Sequence, residues 1–599
     1  MTASPVKNLI KNNAGSRYLI ALVTAAAVLA GIFTVPVAQA SSQPRKILTG
    51  WIPYYSMKTS LPAVLNNADL IKEVMPFWYT LKFNGKTKSA FVSDLYAPGN
   101  PSVPMATPLA ALRTAGIQII PTITDGMEKL VLANLLASPV ERSKIAKTIS
   151  DYVMVNNFDG IDLDFEGFAF VDGNTTWSKT APLWVALVKE LSELLHANNK
   201  LLSVSTPYNF NPTERQKGYT VYAWPQIAPF IDRLRIMTYD YSVAKVGPIG
   251  PILWTEKTVA YAASIMPASK IYVGLAGYGR DWVTKVDGIC PAPFLKAIKV
   301  GAKAATFVMR DAASLAASYQ VTPIFDEKVG EATFTYQKSY EGSTADGRST
   351  ICTATRTAWY QNAQSYSLRS ALVAKYKLGG VTAWTLGMEE PLAMAAIRQT
   401  ALNIAPTKVI SALSSDKTNT QYGSEVVLSA QLSLEDKLPA ANVLIRIEGK
   451  SSADSGWRVL ANVTTGIDGK FTSAILLSKT TSLRVASDAT WERADSISNE
   501  INIIVDRTFS LSAPTTVMAG TPFAISGVVR PRSSGVQVSL SQYSGGTWKK
   551  IGSAITDEQG NFLFQIPKEV RSIARYQVSV LGDQIWQPIS APEFSIIIR

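Results

Sequence analysis

Histidine is almost absent from the 599 residues. His196 is the only one, and cysteine occurs only at Cys290 and Cys352. A Ser-His-Asp triad would depend on that one histidine, and multi-histidine zinc sites are excluded. His196 closes the amphipathic run LVKELSELLHANNK, where a cation near a helix C-terminus is favoured by the dipole, so a structural role is expected of it. Chemistry in this chain is therefore expected to run on carboxylates, with no metal and no cofactor. Long basic runs are missing as well. The formal charge is +13, but Lys and Arg are scattered. That pattern argues against nucleic acid and leaves polyanionic surfaces such as cell-wall polymers. Beyond one run near the N-terminus, no apolar stretch is long enough to span a membrane.

That run is YLIALVTAAAVLAGIFTV (18–35), preceded by Lys7, Lys11 and Arg17 and followed by Pro36 and the triplet Ala38-Gln39-Ala40. It reads as an export signal over 1–40, cleaved after Ala40; an uncleaved anchor competes because the run is long. The leader holds three of the thirteen net positive charges, so the remainder keeps +10. A secreted, wall-associated chain is expected, without a membrane segment once the signal is removed. In that compartment the cysteine pair is most simply one disulfide, two free thiols being the alternative.

From 46 to about 395 short β-rich runs alternate with helical ones. Eight stretches read as strands: 46–52, 72–79, 116–124, 158–165, 200–206, 232–240, 270–277 and 379–386. Amphipathic runs such as SKIAKTISDYVMVN and APLWVALVKELSELLHAN lie between most of them. This is the pattern of an α/β fold, a (β/α)8 TIM barrel over 41–400. A doubly wound open sheet is the rival, but no glycine-rich phosphate loop follows the first strand. Residues from about 283 to 355 carry strand-like runs of their own, ATFTYQKSY and STICTATRTAWY, together with both cysteines. They read as a small α+β insertion between strands seven and eight.

Past 408 the helical periodicity stops, and short alternating strands are separated by Gly, Asp, Asn and Ser turns. The region repeats itself: Trp457 with Gly469 and Phe471, and Trp548 with Gly560 and Phe562, both follow W-x11-G-x-F. A second tryptophan follows in each unit, Trp491 and Trp586. Two Ig-like β-sandwiches over 408–505 and 506–599 are expected, with the four tryptophans at shared core positions.

The stretch FDGIDLDFEG (158–167) holds Asp159, Asp162, Asp164 and Glu166. In a strand, side chains at i, i+2 and i+4 share a face, so Asp162, Asp164 and Glu166 point one way and Ile161, Leu163 and Phe165 the other. Facing a barrel axis, three carboxylates cannot all stay ionised, and the row should keep at least one proton. Glu166 stands at the C-terminal end, where barrel active sites are built, and is the candidate general acid. Asp159 supports the start of the strand. A solvated edge strand and a calcium loop compete. Barrel closure leaves no such edge, and the twelfth position from Asp162 is Gly173 where an EF-hand needs Glu.

These residues also carry a family resemblance. DGIDLDFE resembles the D-x-x-D-x-D-x-E signature of family 18 glycoside hydrolases, the chitinase family. MTYDY (237–241) is similar to its M-x-Y-D element, GLAGYGRDW (274–282) to its seventh strand and GGVTAWTL (379–386) to its eighth. The resemblance covers roughly 46–395, and the insertion goes with it. It implies substrate-assisted, retaining cleavage of β-linked glycans containing N-acetylhexosamine. In that scheme Glu166 is acid and then base, Asp164 orients the acetamido N–H, and Asp162 shares a proton with Asp164. Tyr239 donates to the acetamido oxygen, Asp240 holds the sugar, and Trp384 lies under the cleaved residue. Trp51, Tyr55, Trp78 and Tyr278 sit near strand ends, where sugar stacking competes with core packing.

Two departures stand out: Thr122-Ile123-Thr124-Asp125-Gly126 replaces the family's S-x-G-G, and Phe165 stands where many members have Trp or Tyr. With GWIPYY (50–55) and PFWYTLKFNG (76–85), they make the chain look more like the bacterial branch with spore and cell-wall lytic members. That sets peptidoglycan beside chitin as substrate. The alternatives are a lectin that binds such glycans without cutting them and an adhesion protein whose sandwiches do the main work. Retention of Glu166, Asp164 and Tyr239 favours the enzyme, with the sandwiches as spacers or wall-binding modules.

Overall fold

Apolar, β-branched runs and the helical stripes between them fold as eight parallel strands wrapped by helices. In this computed structural model residues 43–583 and 585–599 are described, so the expected leader and its cleavage point lie outside the described residues. The strands are β1 (Leu48–Pro53), β2 (Ile71–Asn84), β3 (Thr122–Asp125), β4 (Gly160–Asp164), β5 (Leu201–Pro207), β6 (Arg233–Met237), β7 (Ile271–Ala276) and β8 (Gly380–Trp384). Each pairs in parallel with the next, and β8 pairs with β1, so the sheet closes on itself. This is the expected (β/α)8 barrel. Several strands are shorter than the sequence suggests, and two of them bear on the site. β4 ends at Asp164 and β6 at Met237, because Glu166 and Asp240 leave the extended conformation (φ −86° and +58°) and turn onto the C-terminal face.

The helix layer follows local rules. In the helix Pro139–Val155 the Ser138 hydroxyl caps the Glu141 N–H, and Pro139 occupies the first turn. In Trp177–His196 the side chains of Trp184, Leu187, Val188, Leu191 and Leu195 form one buried stripe. That stripe belongs to the same core as Ile161, Leu163 and Phe165, the outward set of β4. His196 ends this helix, and its Nε2 lies 2.8 Å from Asp232 Oδ2 just before β6. It stands at the end of the barrel opposite the carboxylates.

The insertion begins one residue after β7. Its strands run antiparallel in the order Ala305–Val308, Tyr278–Gly288, Ser349–Tyr360, Glu331–Ser343, Ile324–Asp326, with a short helix Ala312–Ser318. Cys290 and Cys352 are joined in a disulfide. Among the described residues no helix is long and apolar enough to cross a membrane.

Two β-sandwiches follow with one topology. In the first, Val409–Ser415, Glu425–Leu434 and Lys470–Leu476 face a sheet ordered Asn419–Gln421, Ile501–Asp506, Thr481–Ser487, Leu444–Lys450, Arg458–Thr464. The second repeats this with Thr508–Ser512, Phe523–Arg530 and Asn561–Ile566 against Thr516–Val517, Phe594–Ile598, Ser572–Val580, Gln537–Ser544 and Thr547–Ile555. Gly469 and Gly560 take positive φ (74° and 78°) in matched hairpins, which explains the repeated glycine. Phe471 and Phe562 are core residues, each in its own sandwich.

The tryptophans correct the expectation of shared core positions. Trp457 and Trp548 lie outside both sandwich cores, in cation–π contact with Arg484 (4.1 Å to the ring centroid) and Arg575 (5.8 Å). Trp491 packs against the barrel core, with the Arg45 guanidinium 4.2 Å from its centroid. Trp586, from the second sandwich, is buried in the core of the first, with Arg507 5.3 Å away. The repeat thus preserves a joint: each second tryptophan is inserted into the preceding module.

Candidate active site

The alternation of β4 sends Asp162 and Asp164 to the barrel axis, and the turn that follows brings Glu166 over them. That turn is firmly held. The Tyr222 hydroxyl donates to the Phe165 carbonyl (2.8 Å), Trp177 Nε1 donates to the Phe168 carbonyl (2.8 Å), and the Glu166 carbonyl accepts from the N–H groups of Ala169 and Phe170. Gly167 lets Asp125 pack close to this turn: a Cβ there would lie 2.2 Å from Asp125 Oδ2 and would displace that carboxyl. Asp159 accepts from the Ile119 N–H (2.7 Å) and ties the start of β4 to the strand beside it.

At the C-terminal face lies a cleft of about 640 Å³. Asp164, Glu166, Tyr239, Asp240, Tyr278, Trp51 and Trp384 all line it. Trp384 is met edge-on by Trp51 (5.6 Å between centroids) and by Phe77 (5.0 Å). Trp51 is itself nearly buried and donates through Nε1 to Thr122 Oγ1 (3.1 Å), so it supports the floor from below. Asp240 Oδ1 accepts from the Tyr278 hydroxyl and from Arg280 Nη2 (2.6 Å), which fixes this carboxylate at the rim.

Burial, foremost, and then the charges of Glu166 and Asp162 push the Asp164 carboxyl well above the usual carboxylate range. Burial also raises Glu166; the hydrogen bond from Asp164 pulls it partly back, and Asp240 adds to the rise. The two carboxyls act directly on each other, while Asp164 Oδ1 is buried and has no hydrogen-bond partner. Asp162 lies beneath, with no exposed surface. It accepts from Thr122 Oγ1 (2.9 Å), Ser203 Oγ (2.6 Å) and Ser205 Oγ (2.9 Å). Arg235 Nε stands 3.8 Å from it.

Two expected mouth aromatics lie elsewhere. Along β2 the alternation that sends Glu73 and Phe77 to the axis sends Val74 and Trp78 outward, where the Trp78 ring packs on Tyr96 (4.4 Å) and its Nε1 donates to the Ile52 carbonyl (2.9 Å). Phe77 takes the place facing the cleft. Tyr55 sits on the one-turn helix after β1, 58% exposed and outside the cleft wall.

Residues that the sequence reading gave no role also line the cleft: Phe77, Asp125, Phe170, Tyr208, Tyr219 and Met237. Asp125 was legible on the same ground as Glu166, as a carboxyl at the C-terminal end of a barrel strand. Burial, with Asp172 nearby, pushes it up to about 6 against the pull of the Met127 N–H.

The family model described as Glycosyl hydrolases family 18 matches residues 74–389, more than half of the chain. YdhD of Bacillus subtilis (strain 168), named as a sporulation-specific glycosylase, is 23% identical over 336 residues, covering 54% of this chain and 70% of its own. A chitinase of Chromobacterium violaceum ATCC 12472 superposes with TM-score 0.47 and 23% identity over 59% of this chain and 98% of its own. The spore cortex-lytic enzyme SleL of Bacillus megaterium QM B1551 does so with TM-score 0.47 and 19% identity over 60% and 75%.

Proposed function

The chain belongs to glycosyl hydrolases family 18, and on that premise we propose that it is an exported glycosidase. Its substrates are β-linked glycans containing N-acetylhexosamine, cleaved with retention and with Glu166 as the acid and base. The observation that carries this reading is the Asp164–Glu166 pair in an aromatic-walled cleft: a buried Asp164 beside a half-buried Glu166, both raised above the usual carboxylate range, with Asp164 Oδ1 free of any hydrogen bond within the protein. When sugar binds, its acetamido N–H donates to Asp164 Oδ1, and the Asp164 proton passes to Glu166. Glu166 gives that proton to the glycosidic oxygen as its bond to the anomeric carbon breaks. The acetamido oxygen, held by the Tyr239 hydroxyl, bonds to the same carbon, and the ionised Asp164 faces the resulting oxazolinium cation. Water then attacks that carbon, gives its proton to Glu166, and the oxazolinium ring opens.

Trp384 and Phe77 offer apolar surface to sugar rings, with Trp51 packed behind Trp384. A relative named as a sporulation-specific glycosylase supports setting peptidoglycan-type glycans beside chitin oligosaccharides as candidate substrates. The sandwiches serve as spacers or wall-binding modules.

The purified chain and its Glu166→Gln variant are to be assayed on chitin oligosaccharides, peptidoglycan and N-glycans. Cleavage of at least one substrate, reduced about 10²–10⁴-fold in the variant, is expected. Undiminished cleavage by the variant contradicts the assigned acid. Binding without cleavage by the unmodified chain replaces the enzyme with a lectin.

A further inference from the structure

The strand Tyr278–Gly288 leads away from the cleft wall into the segment 289–303, and the chain returns in Ala305–Val308. Between Asp287 and Asp311 there is no acidic residue, while Lys296, Lys299, Lys303 and Arg310 occur. Lys296, Lys299 and Lys303 are exposed, and none of the three has an ion-pair or hydrogen-bond partner among the described residues. Large apolar side chains stand among these lysines in water. Ile289, Leu295, Val300 and Ile351 are between 51% and 66% exposed, and Phe294 is exposed as well. Scattered single residues of this kind are ordinary, but these adjoin. The Thr350 hydroxyl donates to the Ile289 carbonyl (2.7 Å), which sets Ile289 beside Ile351, and the Phe294 ring meets Tyr340 (5.2 Å between centroids).

The segment is held in shape from within. Ile298 is buried with Cys290, Cys352 and Ala354, and its N–H donates to the Phe294 carbonyl (2.8 Å). This small core leaves Leu295, Lys296, Lys299 and Val300 outward. The acids of the same tip are mostly engaged. Asp287 pairs with Lys285 (2.9 Å) and Asp346 with Arg348 (2.8 Å). Glu341, in register with Ile351, has no ion pair among the described residues; Lys338 on the same strand stands over Tyr340 (5.4 Å). The tip therefore carries net positive charge. Free cations select an anionic partner, and the apolar side chains select one that has hydrocarbon to offer. A soluble polyanion meets the first demand and leaves the second in water. Side chains more than half exposed also make a convex surface, which a fluid bilayer accommodates without a matching hollow.

We propose that the tip of the insertion is a docking surface for an anionic lipid bilayer. Ile289, Leu295, Val300 and Ile351 enter the headgroup region, and Lys296, Lys299 and Lys303 meet the lipid phosphates. The contact is peripheral, in keeping with the absence of a spanning helix among the described residues. It does not depend on the reaction assigned to the cleft.

The test is flotation with vesicles of phosphatidylcholine, alone or mixed with phosphatidylglycerol. It uses residues 41–599, because the apolar run of the leader would bind lipid by itself; Pro44–Arg599 is a compact unit of its own. This parent should float with the mixed vesicles and stay behind with phosphatidylcholine alone. Lys296→Glu, Lys299→Glu and Lys303→Glu together should weaken binding about 10²-fold. Lys58→Glu, Lys86→Glu and Lys88→Glu together make the same change of net charge at exposed sites outside the insertion, and should leave binding nearly as tight. Leu295→Ser with Val300→Ser keeps every charge and should weaken binding about 10-fold. Every substituted side chain is exposed, so folding is not at stake. A parent that ignores the mixed vesicles overturns the proposal. So does a control triple that loses as much binding as the tip triple, since overall charge then suffices. An apolar pair that binds like the parent also overturns it, and leaves a polyanionic wall polymer as the partner.

Discussion

Asp125 ends β3 beside Gly167, in the turn that carries Glu166. Asp125 owes its rise to about 6 to burial and to Asp172. Its folded-state value exceeds the ordinary 3.8, so the folded chain binds this proton more tightly than the unfolded chain does. Its contribution to stability is therefore present at low pH and is lost as pH climbs from about 4 to about 6, by roughly 2–3 kcal/mol. Asp125→Asn should remove that slope and raise Tm at pH 7 relative to the parent, with little change at pH 4. Parallel melts at the two pH values check this, and an unchanged slope contradicts it. At this scale the sequence was legible wherever period-2 alternation held: Asp162 and Asp164 face the axis, and Leu163 faces the helices. The expectation failed at Trp78 because it followed nearness to the strand end and not the alternation, which puts Phe77, four residues after the inward-facing Glu73, on the axis face. Tyr208 and Tyr219 were equally hidden, since they come from the segment after β5, whose path depends on tertiary packing.

The insertion is the element that completes one wall of the cleft. Its first strand carries Tyr278 and Arg280, which hold Asp240, and also Trp282, which packs with Tyr239. The disulfide closes a 62-residue segment of this unit, a loop for which chain entropy gives roughly 4 kcal/mol. Replacing both cysteines by serine should speed hydrogen exchange in Tyr278–Gly288 and Ser349–Tyr360 while β1 to β6 keep their protection. Equal loss throughout the barrel would show that the insertion is no separate element. The sandwich tryptophans make a second case. Trp586→Ala removes a large side chain from the core of the first sandwich and should destabilise that sandwich by about 3–5 kcal/mol, read from urea unfolding. An effect limited to the second sandwich would contradict the joint. W-x11-G-x-F announced a repeat, and its glycines and phenylalanines do the same work twice. The sequence could not tell a core tryptophan from one inserted into a neighbour, since both read as one large aromatic at a matched place.

Across the whole molecule the same joint recurs at two levels. Arg45 and Trp491, with Lys377 paired to Glu492 (2.7 Å) and the Thr407 N–H donating to the Glu492 carbonyl (2.9 Å), tie the first sandwich to the barrel. Arg507 and Trp586, with Arg507 paired to Asp583 (2.9 Å), tie the second to the first. Trp491→Ala should therefore split thermal unfolding into separate barrel and sandwich transitions, where the parent chain unfolds with the two coupled. Calorimetry reads this, and superimposable traces would mean that the joint transmits no stability.

The central claim is that one acid, Glu166, acts with a nucleophile brought by the sugar. The most direct measurement is ¹H NMR of the first-formed anomer during cleavage of an N-acetylglucosamine oligosaccharide, with Glu166→Gln as control. The account predicts the β-anomer first, and a rate about 10²–10⁴-fold lower in the variant. An α-anomer appearing first, or an undiminished rate in the variant, would contradict it.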